Sequence, residues 1–181
     1  QVGLDADRLS RIESHFRRYV DDGRLPGWLA VVSRHGRIAY VASAGHRDVE
    51  SGAPVTTDTL FRIYSMTKPI TSVAAMMLYE EGAFELKESV RRHLPAFRDT
   101  PVYNGGSAGA PQLVPQLEPM RIWQLFTHTS GLSYGFHHTH PVDAIYRKRG
   151  FEWGSPKGLD TAETIDEVAK SAPPAAVSPK A

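Results

Sequence analysis

An apolar stripe that begins at Ile70 constrains the fold of this chain more than any other feature of its sequence. Its members recur at the spacing of one helix face, and they are Ile70, Val73, Ala74, Met77 and Leu78. Gly82 stands where the C-terminal cap of such a helix is expected. The pattern therefore predicts a helix that ends near Gly82, and its alanines and methionines predict burial between other elements.

The residues before this stripe predict a second helix and a β-hairpin. Apolar side chains at helical spacing lie between Asp5 and Gly23, with Arg and Asp on the opposite face. Two strand-like runs follow, at 28–33 and 37–44, on either side of the turn-like Arg34-His35-Gly36. The polar segment 50–58 contains Gly and Pro, so we expect a loop there.

The second half of the chain predicts loops and short helices. Residues 103–119 are rich in Gly, Pro and Ser and predict a long surface loop, with Asn104-Gly105-Gly106 as a turn within it. Three further helices are predicted, at 121–126, at 142–149, and from a capping pair of Asp160 and Glu163 through about Lys170. Since one hairpin is not a stable sheet, the shortage of strands indicates an incomplete fold.

Composition narrows the class of protein further. The 181 residues suffice for one domain, or for one domain and part of a second. The net charge is only +1, with acids and bases interspersed, which predicts no nucleic-acid partner, and no apolar run is long enough to cross a bilayer. Without cysteine there are no disulfides, thiolate zinc sites or cysteine nucleophiles. The charged first segment shows no signal peptide. The sequence does not decide the compartment, and the expectation favours the cytoplasm.

Ser65 and Lys68 are the strongest candidates for chemistry. Residues three apart on a helix face the same side, so these two side chains can meet within hydrogen-bonding distance. A serine hydroxyl needs a base to become a nucleophile, and a lysine serves when burial or nearby positive charge lowers its pKa. The helix N-terminus would let the Ser65 N–H donate to an oxyanion. By itself the motif also fits an N-cap serine beside a solvated lysine.

Two longer segments resemble a known family. Residues 61–70 surround Ser65 and Lys68, and residues 122–132 follow at a distance. Both resemble signature segments of the serine β-lactamase and penicillin-binding-protein superfamily, and most closely those of its β-lactamase-like (family VIII) carboxylesterases. Their order and approximate spacing also match. The resemblance covers nearly the whole chain, up to about Lys170.

The resemblance implies an α+β fold of the β-lactamase/transpeptidase type. Such a fold has an antiparallel sheet flanked by helices, in a sandwich-like α/β arrangement, together with a mostly helical region. Residues 1–60 are then the N-terminal helix and the first strands, and residues 61–181 are the nucleophile helix and the helical region. The remaining C-terminal part of the family fold has no counterpart in this sequence, so the fold is expected to be incomplete.

The resemblance also implies acyl transfer without a metal or a cofactor. Ser65 is expected to form a covalent acyl-enzyme, with Lys68 as its activating base. Tyr134, Phe136 and Trp153 are expected to line the substrate pocket, against the alternative of a surface loop with one packed aromatic. The proton-sharing tyrosine and the oxyanion-hole strand of the family have no counterpart here. By family spacing, the tyrosine should fall near or just beyond the end of the printed sequence.

The function expected from the resemblance is a carboxylesterase for small-molecule esters of short or medium acyl chain. A β-lactamase or a D-alanyl-D-alanine carboxypeptidase would use the same nucleophile, and the choice depends on pocket shape and deacylation rate. A non-catalytic relative is a third alternative, against which the intact Ser65 and Lys68 argue. The enzyme is expected to work only when the C-terminal part completes it, for example on a second chain. We expect no nucleic-acid or membrane partner.

Histidines cluster at His137, His138 and His140, with His128 upstream. Imidazole is a common metal ligand, but adjacent histidines in a loop point in different directions, and no acidic partner has motif spacing. We therefore expect no metal site. His128 is expected to be a buried and hydrogen-bonded structural residue.

Overall fold

The computed structural model describes residues 2–171, and the chain divides into two units, Gln1–Tyr64 and Ser65–Ala181. The described elements of the first unit are α1 (Ala6–Asp21), β1 (Gly27–Arg34), β2 (Arg37–Asp48) and β3 (Ala53–Pro54). Those of the second unit are α2 (Thr67–Glu80), β4 (Val102–Ser107), β5 (Ala110–Val114), α3 (Ile122–Phe126), α4 (Pro141–Lys148) and α5 (Thr161–Ser171).

The first unit packs a helix on a small antiparallel sheet. Asp5 caps α1, since its side chain accepts a hydrogen bond from the Arg8 N–H at 3.0 Å. The Phe16 ring on α1 lies 5.6 Å from the ring of Trp28, which is buried on β1. The predicted helix is therefore confirmed, and Phe16, although itself partly exposed, covers the buried Trp28.

The predicted hairpin of β1 and β2 is also confirmed. Its turn residues His35 and Gly36 have φ values of 53° and 69°, the positive values that a two-residue type I′ turn requires. The prediction of a loop at 50–58 is wrong in part, because β3 pairs with the end of β2 and gives the sheet order β1-β2-β3. The pairing is supported by the Val55 N–H, which donates to the Gly45 carbonyl at 3.0 Å.

The segment predicted as a long loop contains the hairpin of β4 and β5, so that prediction is wrong. Asn104-Gly105-Gly106, predicted as a turn, lies inside β4 at an irregularity in the register. Gly106 has a φ of 85°, and a Cβ there would lie 2.4 Å from the Ala110 carbonyl oxygen. Glycine here permits a close approach of two strands instead of a turn, and composition alone does not distinguish these uses.

Two small apolar clusters form the core of the second unit. One contains Tyr103, Val142, Tyr146 and Phe151, and the other contains Val90, Phe97, Met120 and Ala169. The three predicted short helices are confirmed as α3, α4 and α5. The Asp160 and Glu163 side chains each accept from the backbone N–H of the other, at 2.8 and 2.9 Å, as the capping pair predicted. None of the described helices combines the length and apolar character that a membrane crossing requires.

Helix α2 forms as predicted, but the prediction that it is buried is wrong for the residues that the structure describes. It contains no buried residue, and Val73 in the middle of its apolar stripe is 63% exposed. The periodicity of the stripe fixes the helix, because helical spacing is a local property. Burial depends on elements that pack against the stripe, and the described part of the second unit leaves the stripe open.

Candidate active site

Ser65 and Lys68 meet at the start of α2. Ser65 lies in the 3₁₀ turn Tyr64–Met66, and the α-helix begins at Thr67. The Lys68 ammonium donates a hydrogen bond to Ser65 Oγ at 3.1 Å, so the predicted contact between the two side chains is present. When the amine is neutral the roles reverse, and the hydroxyl can pass its proton to Nζ. The pair thus has the geometry that a nucleophile and its base require.

The backbone makes a sharp entry into this helix. Tyr64 has a φ of 43°, a left-handed conformation that costs a non-glycine residue about 1–2 kcal/mol. Residues in such conformations concentrate at functional sites. Pro69 is the third residue of α2, where the N–H has no intrahelical acceptor. Proline therefore removes no hydrogen bond from the helix at this position.

The Ser65 and Lys68 side chains are both exposed in the described part of the chain. A lysine acts as a base only where burial or nearby positive charge disfavours its charged form. The described residues therefore provide a candidate nucleophile and its hydrogen-bonded partner without the burial that would make the lysine a base.

Two tyrosines of the second unit are unsuited to share a proton with Lys68. Tyr146 is buried on α4, and burial raises its pKa to about 12. The Tyr103 hydroxyl is already engaged, since it donates to the Gly106 carbonyl at 2.5 Å. The predicted position of the family tyrosine, near or beyond Ala181, lies outside the described residues.

Tyr134, Phe136 and Trp153 come together as one aromatic cluster, which we call the aromatic shelf. The Tyr134 and Phe136 rings lie 4.9 Å apart, and the Phe136 and Trp153 rings stack at 5.4 Å with an angle of 9° between their planes. Trp153 is 82% exposed and Phe136 is 36% exposed. The three residues predicted to bind substrate therefore share one open apolar surface, and their role in binding stays a prediction.

Sequence reasoning missed Asp143, which is buried in the first turn of α4 and is only 1% exposed. One carboxylate oxygen accepts from Ser133 Oγ at 2.7 Å. The other accepts from the N–H groups of Thr139 at 3.1 Å and His140 at 2.9 Å. Burial acts to raise the pKa of Asp143, but these hydrogen bonds outweigh it and hold the pKa below its usual value. The sequence signal for this role was an acid three residues after His140, the residue before the proline that begins the helix.

A second side chain of α4 holds the backbone between the aromatic rings. Arg147 donates a hydrogen bond to the carbonyl of Gly135, which is buried between the exposed Tyr134 and Phe136. A Cβ on Gly135 would lie 2.4 Å from the Phe151 carbonyl oxygen. The position therefore accepts glycine because the neighbouring backbone leaves no space for a side chain.

The histidines hold local structure in place. His128 is exposed and has a φ of 56°, so the prediction of a buried histidine is wrong; the left-handed turn after α3 keeps it out of the core. His140 caps α4, with Nδ1 accepting from the Val142 N–H at 3.2 Å. His138 pairs with Glu152 at 3.3 Å. Among residues 2–171, no group of three or more His, Asp or Glu side chains is arranged to hold a metal ion.

The predicted site residues thus form two groups within the second unit. Ser65 with Lys68 is one group, and the aromatic shelf is the other. The hydrogen bonds and ring contacts found within residues 2–171 join members of each group and do not join the two groups. The structure therefore defines a candidate nucleophile and a candidate binding surface as separate pieces.

Comparison with known sequences identifies relatives along nearly the whole chain. The family model described as Beta-lactamase matches residues 12–178. Esterase EstB of Burkholderia gladioli is 41% identical over 133 residues, which cover 72% of this chain and 31% of that protein. ML-236A carboxylate methylbutanoyltransferase mlcH of Penicillium citrinum is 33% identical over 181 residues, which cover 96% of this chain and 41% of that protein.

Comparison with solved structures confirms the predicted α+β fold of the β-lactamase/transpeptidase type. EstCE1, a hydrolase with promiscuous acyltransferase activity, matches with a TM-score of 0.74 and 29% identity, over 92% of this chain and 41% of that one. Simvastatin synthase (LovD) from Aspergillus terreus matches with a TM-score of 0.70 and 32% identity, over 93% of this chain and 42% of that one. The chain spans between 31% and 42% of the length of these four proteins.

Proposed function

This chain belongs to the β-lactamase family, and on that premise we propose that it carries the nucleophile of a serine carboxylesterase for esters with a short or medium acyl chain. The observation that carries the proposal is the 3.1 Å hydrogen bond between Lys68 Nζ and Ser65 Oγ at the start of α2. The likeness to esterase EstB supports an ester as the substrate.

In the proposed reaction, Ser65 Oγ attacks the carbonyl carbon of the ester. A bond forms between Oγ and that carbon, Lys68 takes the hydroxyl proton, and negative charge gathers on the carbonyl oxygen. The Ser65 N–H donates to this oxyanion. The bond to the alcohol oxygen then breaks, and that oxygen takes the proton from Lys68. Water repeats the sequence on the acyl-enzyme and releases the acid.

The aromatic shelf is proposed to bind the apolar part of the ester. Stacked, exposed rings such as those of Phe136 and Trp153 offer a flat apolar area that an acyl chain can cover. Tyr134 adds a hydroxyl at the edge of the same surface, which can hydrogen-bond a polar group of the substrate. This assignment favours acyl chains long enough to reach the rings over the smallest esters.

Completion of the site by further polypeptide is part of the proposal. The tyrosine that shares the proton with Lys68, and the strand that completes the oxyanion hole, are proposed to lie on polypeptide that corresponds to the rest of the longer relatives. That polypeptide is either a continuation of this chain or a second chain. Its packing over the exposed start of α2 would also desolvate Lys68, as the base requires.

Acyl transfer to an alcohol in place of water is the second candidate function. The observation that favours it is the likeness to a methylbutanoyltransferase and to a hydrolase with promiscuous acyltransferase activity. Both reactions pass through the same acyl-enzyme on Ser65, and they differ in whether an alcohol or water reaches it. A β-lactamase or a D-alanyl-D-alanine carboxypeptidase would also use this nucleophile, and turnover of a cephalosporin or of a D-alanyl-D-alanine peptide would identify them.

The test is intact-mass spectrometry of the complete protein before and after treatment with a fluorophosphonate. We expect one adduct, located on Ser65, which Ser65→Ala abolishes and which Ser10→Ala, at an exposed serine of α1, leaves unchanged. Hydrolysis of p-nitrophenyl butyrate should fall by about 10³-fold or more in Ser65→Ala. A folded protein without an adduct would overturn the proposal, and added alcohol that is converted to ester would favour acyl transfer.

A further inference from the structure

The aromatic shelf is an exposed surface built on a buried polar anchor. Ser133 lies just before Tyr134, and Thr139 and His140 lie just after the segment that carries the rings. The Asp143 carboxylate accepts hydrogen bonds from all three, with one oxygen directed to each end of the segment. A single side chain of α4 therefore closes the loop 133–140 from within.

This anchor satisfies a buried charge and fixes the backbone at both ends of the segment. A buried carboxylate is costly unless it is hydrogen-bonded, and Asp143 is fully engaged, with a further contact from Thr139 Oγ1 at 3.3 Å. Arg147, one turn along the same helix face, holds the Gly135 carbonyl. The backbone on both sides of Phe136 is thus fixed by α4, while the ring itself remains partly exposed.

We propose that Asp143 is a positioning residue for substrate selection. By fixing segment 133–140, it holds the Tyr134 ring beside Phe136 and the Phe136 ring stacked on Trp153, and this arrangement selects substrates by their apolar acyl chain. The inference rests on the proposed function, because it takes the aromatic shelf as the binding surface. Asp143 touches no reacting atom in this account, so its removal should change substrate preference and leave the reactivity of Ser65 intact.

The first readout reports the anchor without reference to catalysis. Amide hydrogen exchange of Thr139 and His140 should be slow in the complete protein, because both N–H groups donate to Asp143. Exchange should accelerate in Asp143→Ala. It should stay close to the parent in Asp143→Asn, because the amide oxygen can accept the same two N–H groups and the NH₂ can donate to Ser133 Oγ.

The second readout reports substrate selection. We expect Asp143→Ala to lower kcat/KM for p-nitrophenyl hexanoate by about tenfold, mostly through KM, because a ring that is no longer held in place must be ordered when substrate binds. The rate for p-nitrophenyl acetate, and the rate of Ser65 labelling by a small fluorophosphonate, should change by no more than about twofold. Asp143→Asn should recover most of the preference for hexanoate over acetate, because its side-chain amide can keep the same hydrogen bonds.

The outcomes separate this inference from the proposed function. Faster exchange in Asp143→Ala with an unchanged preference for hexanoate over acetate would overturn the positioning role, as would unchanged exchange. If Asp143→Ala does not fold, Ser133→Ala replaces it in the substrate readout, with the same expected loss of preference for hexanoate. The exchange of Thr139 and His140 should then stay near that of the parent, because both N–H groups still donate to the other carboxylate oxygen. If the parent protein never labels on Ser65, the proposed function fails and the selection role fails with it, while the exchange data still decide whether Asp143 anchors the segment.

Discussion

Lys68 can take a proton from Ser65 only while its amine is neutral, and this condition separates a lysine from an arginine. Its contact with Ser65 Oγ at 3.1 Å suits either direction of proton transfer. An arginine could reach the same hydroxyl but would keep its proton at any pH that a protein survives. The ability of the side chain at position 68 to lose its proton therefore matters more for this role than its positive charge.

Lys68→Arg should abolish most of the proposed turnover while the fold is kept. We expect kcat for p-nitrophenyl butyrate to fall by about 10²–10⁴-fold, the range that a general base contributes. The melting temperature should stay near that of the parent, since Lys68 is exposed in the described part of the chain. Lys157→Arg, at another exposed lysine, is the matched control. Turnover near the parent level in Lys68→Arg would exclude the lysine as the base.

Asp143 gives the aromatic shelf a dependence on acid pH. Its hydrogen bonds hold the pKa of the folded carboxyl below its usual value, so the carboxyl binds a proton more weakly folded than unfolded. The stabilisation is therefore present above the unfolded pKa of about 3.9 and is lost as the pH falls through the folded pKa. We expect the exchange protection of Thr139 and His140 to persist at about pH 4 and to be lost only at lower pH, as the folded carboxyl takes up its proton.

The control for this pH dependence is Asp143→Asn, in which the same protection should not titrate in the acid range. A midpoint near pH 6 would contradict the assignment to Asp143, because that carboxyl is held in its charged form well below this pH.

At the residue scale, the sequence predicted the contact between Ser65 and Lys68, which depends on helical spacing. It missed the contact between Asp143 and Ser133, which depends on the path of a loop. Ser65 and Lys68 lie three positions apart on one helix, so helical geometry brings them together. Asp143 reaches Ser133 across ten positions and through a loop whose path no local pattern specifies. Its place three residues after His140 is typical of a capping acid, but the sequence analysis did not use it, and the hydrogen bond to Ser133 is evident only from the structure.

In the hairpin of β4 and β5, a glycine pair that usually indicates a turn lies within a strand. Gly106 lies within β4 with a positive φ, and the facing backbone at Ala110 occupies the place that a side chain would take. The Tyr103 hydroxyl donates to the Gly106 carbonyl, which ties the irregular strand to the cluster of α4. A substitution at Gly106 should therefore disturb both the strand pairing and the core beneath it.

Gly106→Ala should lower the free energy of unfolding by about 1–3 kcal/mol, because it combines a strained backbone with a contact of 2.4 Å. Gly109→Ala in the same hairpin is the matched control, since the nearest atom to its Cβ is Ser107 Oγ at 3.9 Å. We expect the control to change stability by no more than about 0.5 kcal/mol. Urea unfolding of both variants measures the difference, and equal effects would refute the role of close approach.

Helices were more predictable than strands in this chain for a physical reason. The caps of the helices are local: Asp160 and Glu163 bond each other at the start of α5, and Asp5 bonds the Arg8 N–H at the start of α1. Strands β3 and β4 depend on a partner strand, and their short or glycine-rich sequences resemble loops when the partner is not known. The prediction therefore failed where pairing, and not propensity, makes the element.

At the scale of the whole molecule, α2 is a helix whose apolar face is not covered by the described residues. Its stripe is apolar, its N-terminus carries Ser65 and Lys68, and Val73 at its middle is largely exposed. Apolar area of this kind stabilises a protein when it is removed from water. The relatives are more than twice as long as this chain, and we proposed above that the corresponding polypeptide packs on α2.

Val73→Asp should therefore act differently in two contexts. In the 181-residue chain the substitution should change the free energy of unfolding by no more than about 0.5 kcal/mol, because the side chain is exposed. In the complete protein it should cost about 2–4 kcal/mol, because a carboxylate would be buried without a partner. Chemical unfolding of the four proteins measures both effects. A small effect in both contexts would contradict packing of further polypeptide on this face.

Exposed and buried positions alternate along residues 134–136, so the exposed side chains can be exchanged in evolution or design while the backbone stays in place. Tyr134 and Phe136 project from a backbone that Gly135 and Arg147 immobilise. Exchanges at the two ring positions can therefore reshape the surface offered to a ligand with little penalty in stability, since exposed substitutions usually change it by no more than about 0.5 kcal/mol. Libraries that vary positions 134, 136 and 153 while keeping 135, 143 and 147 fixed should yield altered ligand preferences among proteins that still fold.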